Sequence, residues 1–160
     1  MKKIKIESFL EVYPAMDSLP KAIFSLMETA IDAREKAYAP YSEFLVGAAI
    51  LLDNGVVVPG SNQENASYPS GLCAERTAIY YAGAKYPEAK IMGIAITARA
   101  RDKETTTPIP PCGACRQAIA EYEIRQNSPI PLYFMGESGE VWKSDSLENL
   151  LPLLFTSKYL

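Results

Sequence analysis

The chain contains no histidine. That absence removes both the commonest general base and the commonest metal ligand, so any acid–base or metal chemistry has to run on Cys, Asp, Glu, Lys or Tyr. Cysteine is scarce as well. The three present, Cys73, Cys112 and Cys115, are an odd number in a chain without an export signal, which argues against a disulfide framework and for metal or redox chemistry in a reducing cytoplasm. Met1–Leu10 begins basic, but Glu7 interrupts it before the apolar stretch of a signal peptide can form. The longest nearly apolar run, Phe44–Leu52, falls far below the roughly 20 residues of a membrane-spanning helix, so no membrane partner is expected. Positive charge is not in excess either: 16 basic against 19 acidic residues leave no footprint for holding nucleic acid. What remains is a small-molecule partner.

With 160 residues and 48% hydrophobic content, the chain can bury one sizeable core and is too short for two ordinary domains, so one domain over residues 1–160 is expected. Between Asp17 and Tyr38, Leu19, Ile23, Leu26, Met27, Ala30 and Ile31 recur at helical spacing, with Asp17 or Ser18 available as cap. FLVGAAILL, then DNG and VVV, reads as a hairpin from Phe44 to Pro59, because Asn54-Gly55 favours the positive φ angles of tight hairpin loops. A second helix is predicted from near Cys73 to Gly83, a strand over Ile91–Ala98 and a third helix from about Cys112 to Tyr122. The strand PLYFM, a turn at Glu137–Gly139, a short strand and a final helix complete the pattern. This order predicts an α/β architecture, a mixed sheet of about five strands covered by helices on both faces. Residues 1–20, ahead of the first helix, have no evident role in it.

Cys73-Ala74-Glu75 and Pro111-Cys112-Gly113-Ala114-Cys115 use every cysteine and put them where loops turn into helices, at N-termini whose amides and dipole stabilise thiolates. Two cysteines three apart, with a third from another helix start, make a three-thiolate set for one zinc ion per chain. Its fourth tetrahedral position is open, and there is no histidine to close it. That favours a catalytic over a structural site. Glu75, two residues from a ligand, can serve water there without binding the metal, as a general acid/base. Three thiolates give the centre a net negative charge that weakens its pull on water. Arg76 and Arg116 are therefore expected to donate hydrogen bonds to the sulfurs. On residue types alone other readings stay open: a redox CxxC pair, Phe44 as ordinary core, Asn62 and Glu64 as ordinary loop residues.

Cys-x-Glu followed by Pro-Cys-x-x-Cys is the signature of the zinc deaminases. YSEFLVGAAILL (from Tyr41), SNQENASYPSGLCAERTAI (from Ser61) and PCGACRQ (from Pro111) together resemble the homotetrameric cytidine deaminase family, over about Ala22 to Phe155. The resemblance implies a three-layer α/β/α fold and hydrolytic deamination of cytidine and 2′-deoxycytidine to the uridines and ammonia, in pyrimidine salvage. It implies that Phe44 stacks on the pyrimidine, that Asn62 and Glu64 hold ribose hydroxyls and that Ala66 and Tyr68 line the site. The Ala74 amide would meet the base carbonyl oxygen and the Pro110 carbonyl the departing amino group. A cytoplasmic homotetramer with shared sites is also implied, Phe155 reaching into a neighbour's. The chain departs from the family in having Pro110-Pro111 where Ser-Pro or Thr-Pro is usual, and in its leader. The rivals are a deaminase of another aminopyrimidine compound such as blasticidin S, which should not need the Asn62 and Glu64 pair, a non-catalytic zinc-binding domain, and a nucleic-acid deaminase, which the acidic charge balance disfavours.

Overall fold

The computed structural model describes residues 1–160. Its regular elements are β1 (Glu11–Tyr13), α1 (Lys21–Arg34), β2 (Phe44–Leu52), β3 (Val57–Ser61), α2 (Ala74–Lys85), β4 (Ile91–Ala100), α3 (Gly113–Arg125), β5 (Leu132–Met135) and β6 (Val141–Ser144). The strands form a single sheet in the order β1-β6-β5-β4-β2-β3. Only the β4–β5 pair is parallel, the chain crossing from one to the other through α3. The remaining pairs are antiparallel, so the sheet is mixed, as its helix-and-strand order implied.

Period-two alternation sorts the strand residues onto two faces. Ala48, Ile50, Ile94, Ile96, Leu132 and Phe134 pack with Ala78 and Ile79 of α2 and Ile119 of α3. Their sequence neighbours Ala49, Ala95, Tyr133 and Met135 point the other way, onto Leu26, Met27 and Ala30 of α1. The result is three layers, with α1 alone on one side and α2 and α3 on the other. No helix is long and apolar enough to cross a membrane.

The structure corrects the sequence reading in three places. The sheet has six strands rather than five, because the leader supplies β1, which pairs antiparallel with β6 (Val12 opposite Trp142). A run of three strand residues is too short to announce itself by periodicity. The first helix starts at Lys21, with Asp17 and Ser18 held in a short 3₁₀ turn, and ends at Arg34. The final helix is absent: Glu148–Leu150 and Ser157–Tyr159 are isolated 3₁₀ turns. Pro152 accounts for this, since it lacks an N–H and biases Leu151 away from helical angles; Leu151 sits at φ −136°, ψ 72°.

Candidate functional site

Cys73 and Cys112 are the N-caps of α2 and α3, both in extended backbone, and Cys115 is in the first turn of α3. Because both helices lie on the same face of the sheet, their N-termini can meet, and the cavity there is lined by Phe44 and Val46 at the start of β2. The three Sγ atoms lie within 4.8 Å of one another, Cys73 to Cys112 at 3.8 Å and Cys112 to Cys115 at 3.5 Å. Sulfurs bound to a single tetrahedral zinc stand roughly 3.8 Å apart, so the donor set fits the ion. Its electrostatics agree. The Cys73 thiol is pulled down to about 5, first by a hydrogen bond with Cys115 and further by Arg76, while that same bond and burial push Cys115 up. Sulfurs packed this closely cannot all carry negative charge unless a cation neutralises them.

Glu75, the second residue of α2, is 4% exposed and lines the cavity beside the sulfurs, where burial pushes its carboxyl up. The start of α2 is brought down onto β3 at Gly60, where a Cβ would stand 2.6 Å from the Ala74 carbonyl oxygen and 2.7 Å from the Ala78 nitrogen. No larger residue leaves the helix in that place. Arg76 reaches back one turn, Nη2 to Cys73 Sγ at 3.7 Å.

The cavity in front of the sulfurs has a volume of about 560 Å³. Its floor continues the apolar strand face that α2 and α3 cover elsewhere: Phe44 and Val46 extend the alternation of Ala48 and Ile50 past the helix ends, next to Ile96. Its wall is the loop 62–72, closed at its base by Gln63 and Leu72, which exchange backbone hydrogen bonds at 2.9 Å. This closure brings Asn62 and Glu64 into the same cavity as Cys73, although they lie eleven and nine positions before it in sequence. Tyr41 and Tyr68 stand at the rim, ring centroids 5.9 Å apart.

Of the residues singled out from sequence, Phe44, Asn62, Glu64, Tyr68, Cys73, Glu75, Arg76, Pro110 and Cys112 line this one cavity. Ala66 and Ala74 are not in its lining, and neither is Phe155, which is 57% exposed and stacks on Tyr159 at 5.8 Å. Arg116 does not donate to the thiolates. Its Nε and Nη1 donate instead to the carbonyls of Pro111 and Leu150, each at 2.8 Å. Asn62 and Glu64 have protein partners of their own. Asn62 bridges the Val46 N–H (2.8 Å) and the Phe44 carbonyl (2.9 Å). Glu64 accepts from the amides of Tyr41 and Ser42 and from the Ser42 hydroxyl. The cavity residues missed from sequence, among them Ser42, Val46 and Ile96, are those whose types are equally at home in a loop or a core. Strand alternation from Phe44 was the one signal for Val46.

Residues 21–128 match the model of the cytidine and deoxycytidylate deaminase zinc-binding region. A cytidine deaminase of Halalkalibacterium halodurans is 43% identical over 135 residues, which cover 83% of this chain and 93% of the relative. One of Sporosarcina psychrophila is 39% identical over 126 residues, 79% of this chain and 85% of the relative. Among solved structures, the cytidine deaminase of Burkholderia pseudomallei superposes with a TM-score of 0.70 at 40% identity, covering 82% of this chain and 97% of that one.

Proposed function

The chain belongs to the cytidine deaminase family and is a zinc-dependent hydrolase of that activity, and we propose that Glu75 moves the protons of the reaction in a cavity built for a free nucleoside, cytidine or 2′-deoxycytidine. The observation that carries this reading is a cluster of three sulfurs, two of whose cysteines, Cys73 and Cys112, line the same cavity as the buried Glu75 carboxyl and the Phe44 ring.

Zinc held by Cys73, Cys112 and Cys115 supplies Lewis acidity that makes water a stronger acid near neutral pH. In the reaction, water adds at C4 of the pyrimidine, ammonia leaves, and C4 becomes a carbonyl. Glu75 accepts the water's first proton and donates it to ring N3, then takes the remaining hydroxyl proton at C4 and delivers it to the departing amine. Its burial and its position two residues from Cys73, free of the metal set, support that role. Arg76 offsets part of the thiolate charge at Cys73. Phe44 offers its ring to the base, and the Pro110 carbonyl, unaffected by the residue being proline, is available to the leaving amino group. Glu64 keeps capacity for a ribose hydroxyl: a carboxylate has about four acceptor sites, and three donors already use it.

Nucleosides are favoured over nucleotides because Arg76 is the one basic residue lining the cavity, and it faces Cys73. A phosphate near Glu64 would meet repulsion and no counter-charge. The same ribose contacts set the chain apart from a blasticidin-type deaminase. Family membership supports the further reading of pyrimidine salvage in the cytoplasm by a homotetramer with shared sites, and an exposed Phe155 on the surface of the isolated chain is consistent with it. The test is absorbance loss on a panel of cytidine, deoxycytidine, CMP, cytosine and blasticidin S with zinc-loaded enzyme. Both nucleosides should turn over and far exceed CMP; CMP turnover equal to that of cytidine would refute the nucleoside pocket.

A further inference from the structure

The C-terminal stretch from Leu147 to Phe155 is bound along α3 by side chains that reach its backbone. Glu123 accepts from the Leu147 N–H at 2.8 Å and from the Glu148 N–H at 3.3 Å. Two turns earlier on the helix, Arg116 donates to the Leu150 carbonyl, and Gln117 donates to that of Phe155 at 3.0 Å. Between these points Asn149 accepts the Phe9 N–H at 2.9 Å, returns a bond to the Phe9 carbonyl, and also donates to Ser144 Oγ at 2.9 Å. Asn149 thereby holds the leader just ahead of β1 in the manner of a strand neighbour.

Arg116 is where this chain of bonds reaches the turn that leads into Cys112. Its guanidinium has a fixed fork of donors, and the two tines are spent on different segments: Nη1 on Leu150, Nε on Pro111, the residue immediately before Cys112. Cys112 itself is exposed and its turn contains two consecutive prolines, which have no N–H with which to anchor themselves. The Pro111 carbonyl is thus the turn's handle, and Arg116 holds it.

We propose that Arg116 is a positioning residue that fixes the Pro110-Pro111-Cys112 turn by tying it to the C-terminal stretch, with the leader bracing that stretch through Asn149. The proposal rests on the reading of the three cysteines as zinc ligands. Through the turn, Arg116 would set both the aim of the Cys112 sulfur at the metal and the direction of the Pro110 carbonyl in the cavity.

The test compares zinc-loaded wild type, Arg116→Ala and Arg116→Lys for thermal unfolding, zinc transfer to a chromogenic chelator, steady-state kinetics with cytidine, and the sulfur-to-metal absorption of the cobalt(II)-substituted proteins. Stoichiometric zinc and turnover in the wild type establish the underlying reading first, independently of the variants. Loss of residues that orient metal ligands typically costs 10- to 100-fold in metal affinity or activity. Folded Arg116→Ala should therefore release zinc at least about tenfold faster, with an altered cobalt spectrum and a fall in kcat larger than any rise in KM. Arg116→Lys, with one compact donor group for two separate carbonyls, should recover part of each. Wild-type release and spectrum in folded Arg116→Ala would overturn the proposal. If Arg116→Ala does not fold, the lysine variant decides by the same readings. Failure of both to fold would overturn it too, by making Arg116 a determinant of the fold rather than of the turn.

Discussion

Asn62 holds Phe44 in place: its side-chain nitrogen donates to the Phe44 carbonyl at 2.9 Å and its oxygen takes the Val46 N–H at 2.8 Å, so the cavity's aromatic floor is fixed from its wall. Any contact of Asn62 with substrate would come in addition to this bridge.

Asn62→Ala should accordingly weaken the protein as well as its substrate binding. The residue is 9% exposed, and leaving its two backbone partners unsatisfied costs about 1–3 kcal/mol. Thermal unfolding and KM for cytidine, measured on the same preparation, should worsen together. A raised KM with unchanged stability would mean that Asn62 serves the ligand alone.

Glu75→Gln should keep fold, zinc and nucleoside affinity while removing nearly all turnover. The change is close to isosteric and touches no sulfur. General acid/base assistance is worth ~10² to 10⁴ in rate, and a group serving several transfers in one cycle belongs at the upper end. Because proton transfer is a property of the transition state, the loss should fall on kcat. Zinc content, calorimetric binding and steady-state rates settle it; a drop of less than about tenfold with zinc retained would remove Glu75 from the role.

Glu64 gives the protein an acid-side dependence of its own, through contacts that involve none of the sulfurs. Desolvation acts to raise its carboxyl, but the Ser42 hydroxyl and the Tyr41 and Ser42 amides together outweigh it and hold the group below its ordinary 4.5. A carboxylate lowered in the folded state contributes stability that is fully present above the unfolded value and is lost as pH falls through the folded one. Acid unfolding of the wild type should therefore include a component below the ordinary carboxylate range that Glu64→Gln lacks. Identical pH–stability curves would mean that the Ser42 contacts contribute nothing.

Gly60→Ala tests whether the helix start is set by contact with β3. The added methyl would sit 2.6 Å from the Ala74 carbonyl, backbone that cannot swing aside, so α2 has to move away. Overpacking of this kind costs about 1–3 kcal/mol. Because Cys73 and Glu75 move with the helix, kcat for cytidine should fall alongside stability. Full activity at reduced stability would uncouple the two.

The metal set was legible in the sequence because few residue types can hold a metal and every cysteine of the chain falls in it. Glu75 stood out by likeness to the zinc-deaminase signature, two residues from Cys73, in the cavity where the structure has it. The layered sheet was legible because Phe44–Leu52 and Ile91–Ala98 are long enough to show their period. Arg116 misled for a physical reason: the sequence gives its neighbour Cys115, whereas its partners Pro111 and Leu150 depend on how the chain returns past α3. Asn62 and Glu64 were found by likeness to a family, yet the hydrogen bonds that occupy them come from segments about twenty residues away, which no local pattern encodes. The leader strand escaped because its pairing residue, Val12 opposite Trp142, lies at the other end of the chain.

The positions of the sulfurs also make the metal a cross-link. Cys73 and Cys112 are 39 residues apart in sequence and begin different helices, so an ion shared between them closes a loop enclosing α2, β4 and the turn into α3. In the chain-entropy picture, a permanent bond across about 40 residues is worth roughly 4 kcal/mol through the freedom it denies the unfolded chain. Coordination that persists only in the folded chain works instead by mass action, its contribution growing with free metal. A chelator then acts on this protein as a reductant acts on a disulfide-stapled one: it cuts the tie between two halves of a sheet's helical cover.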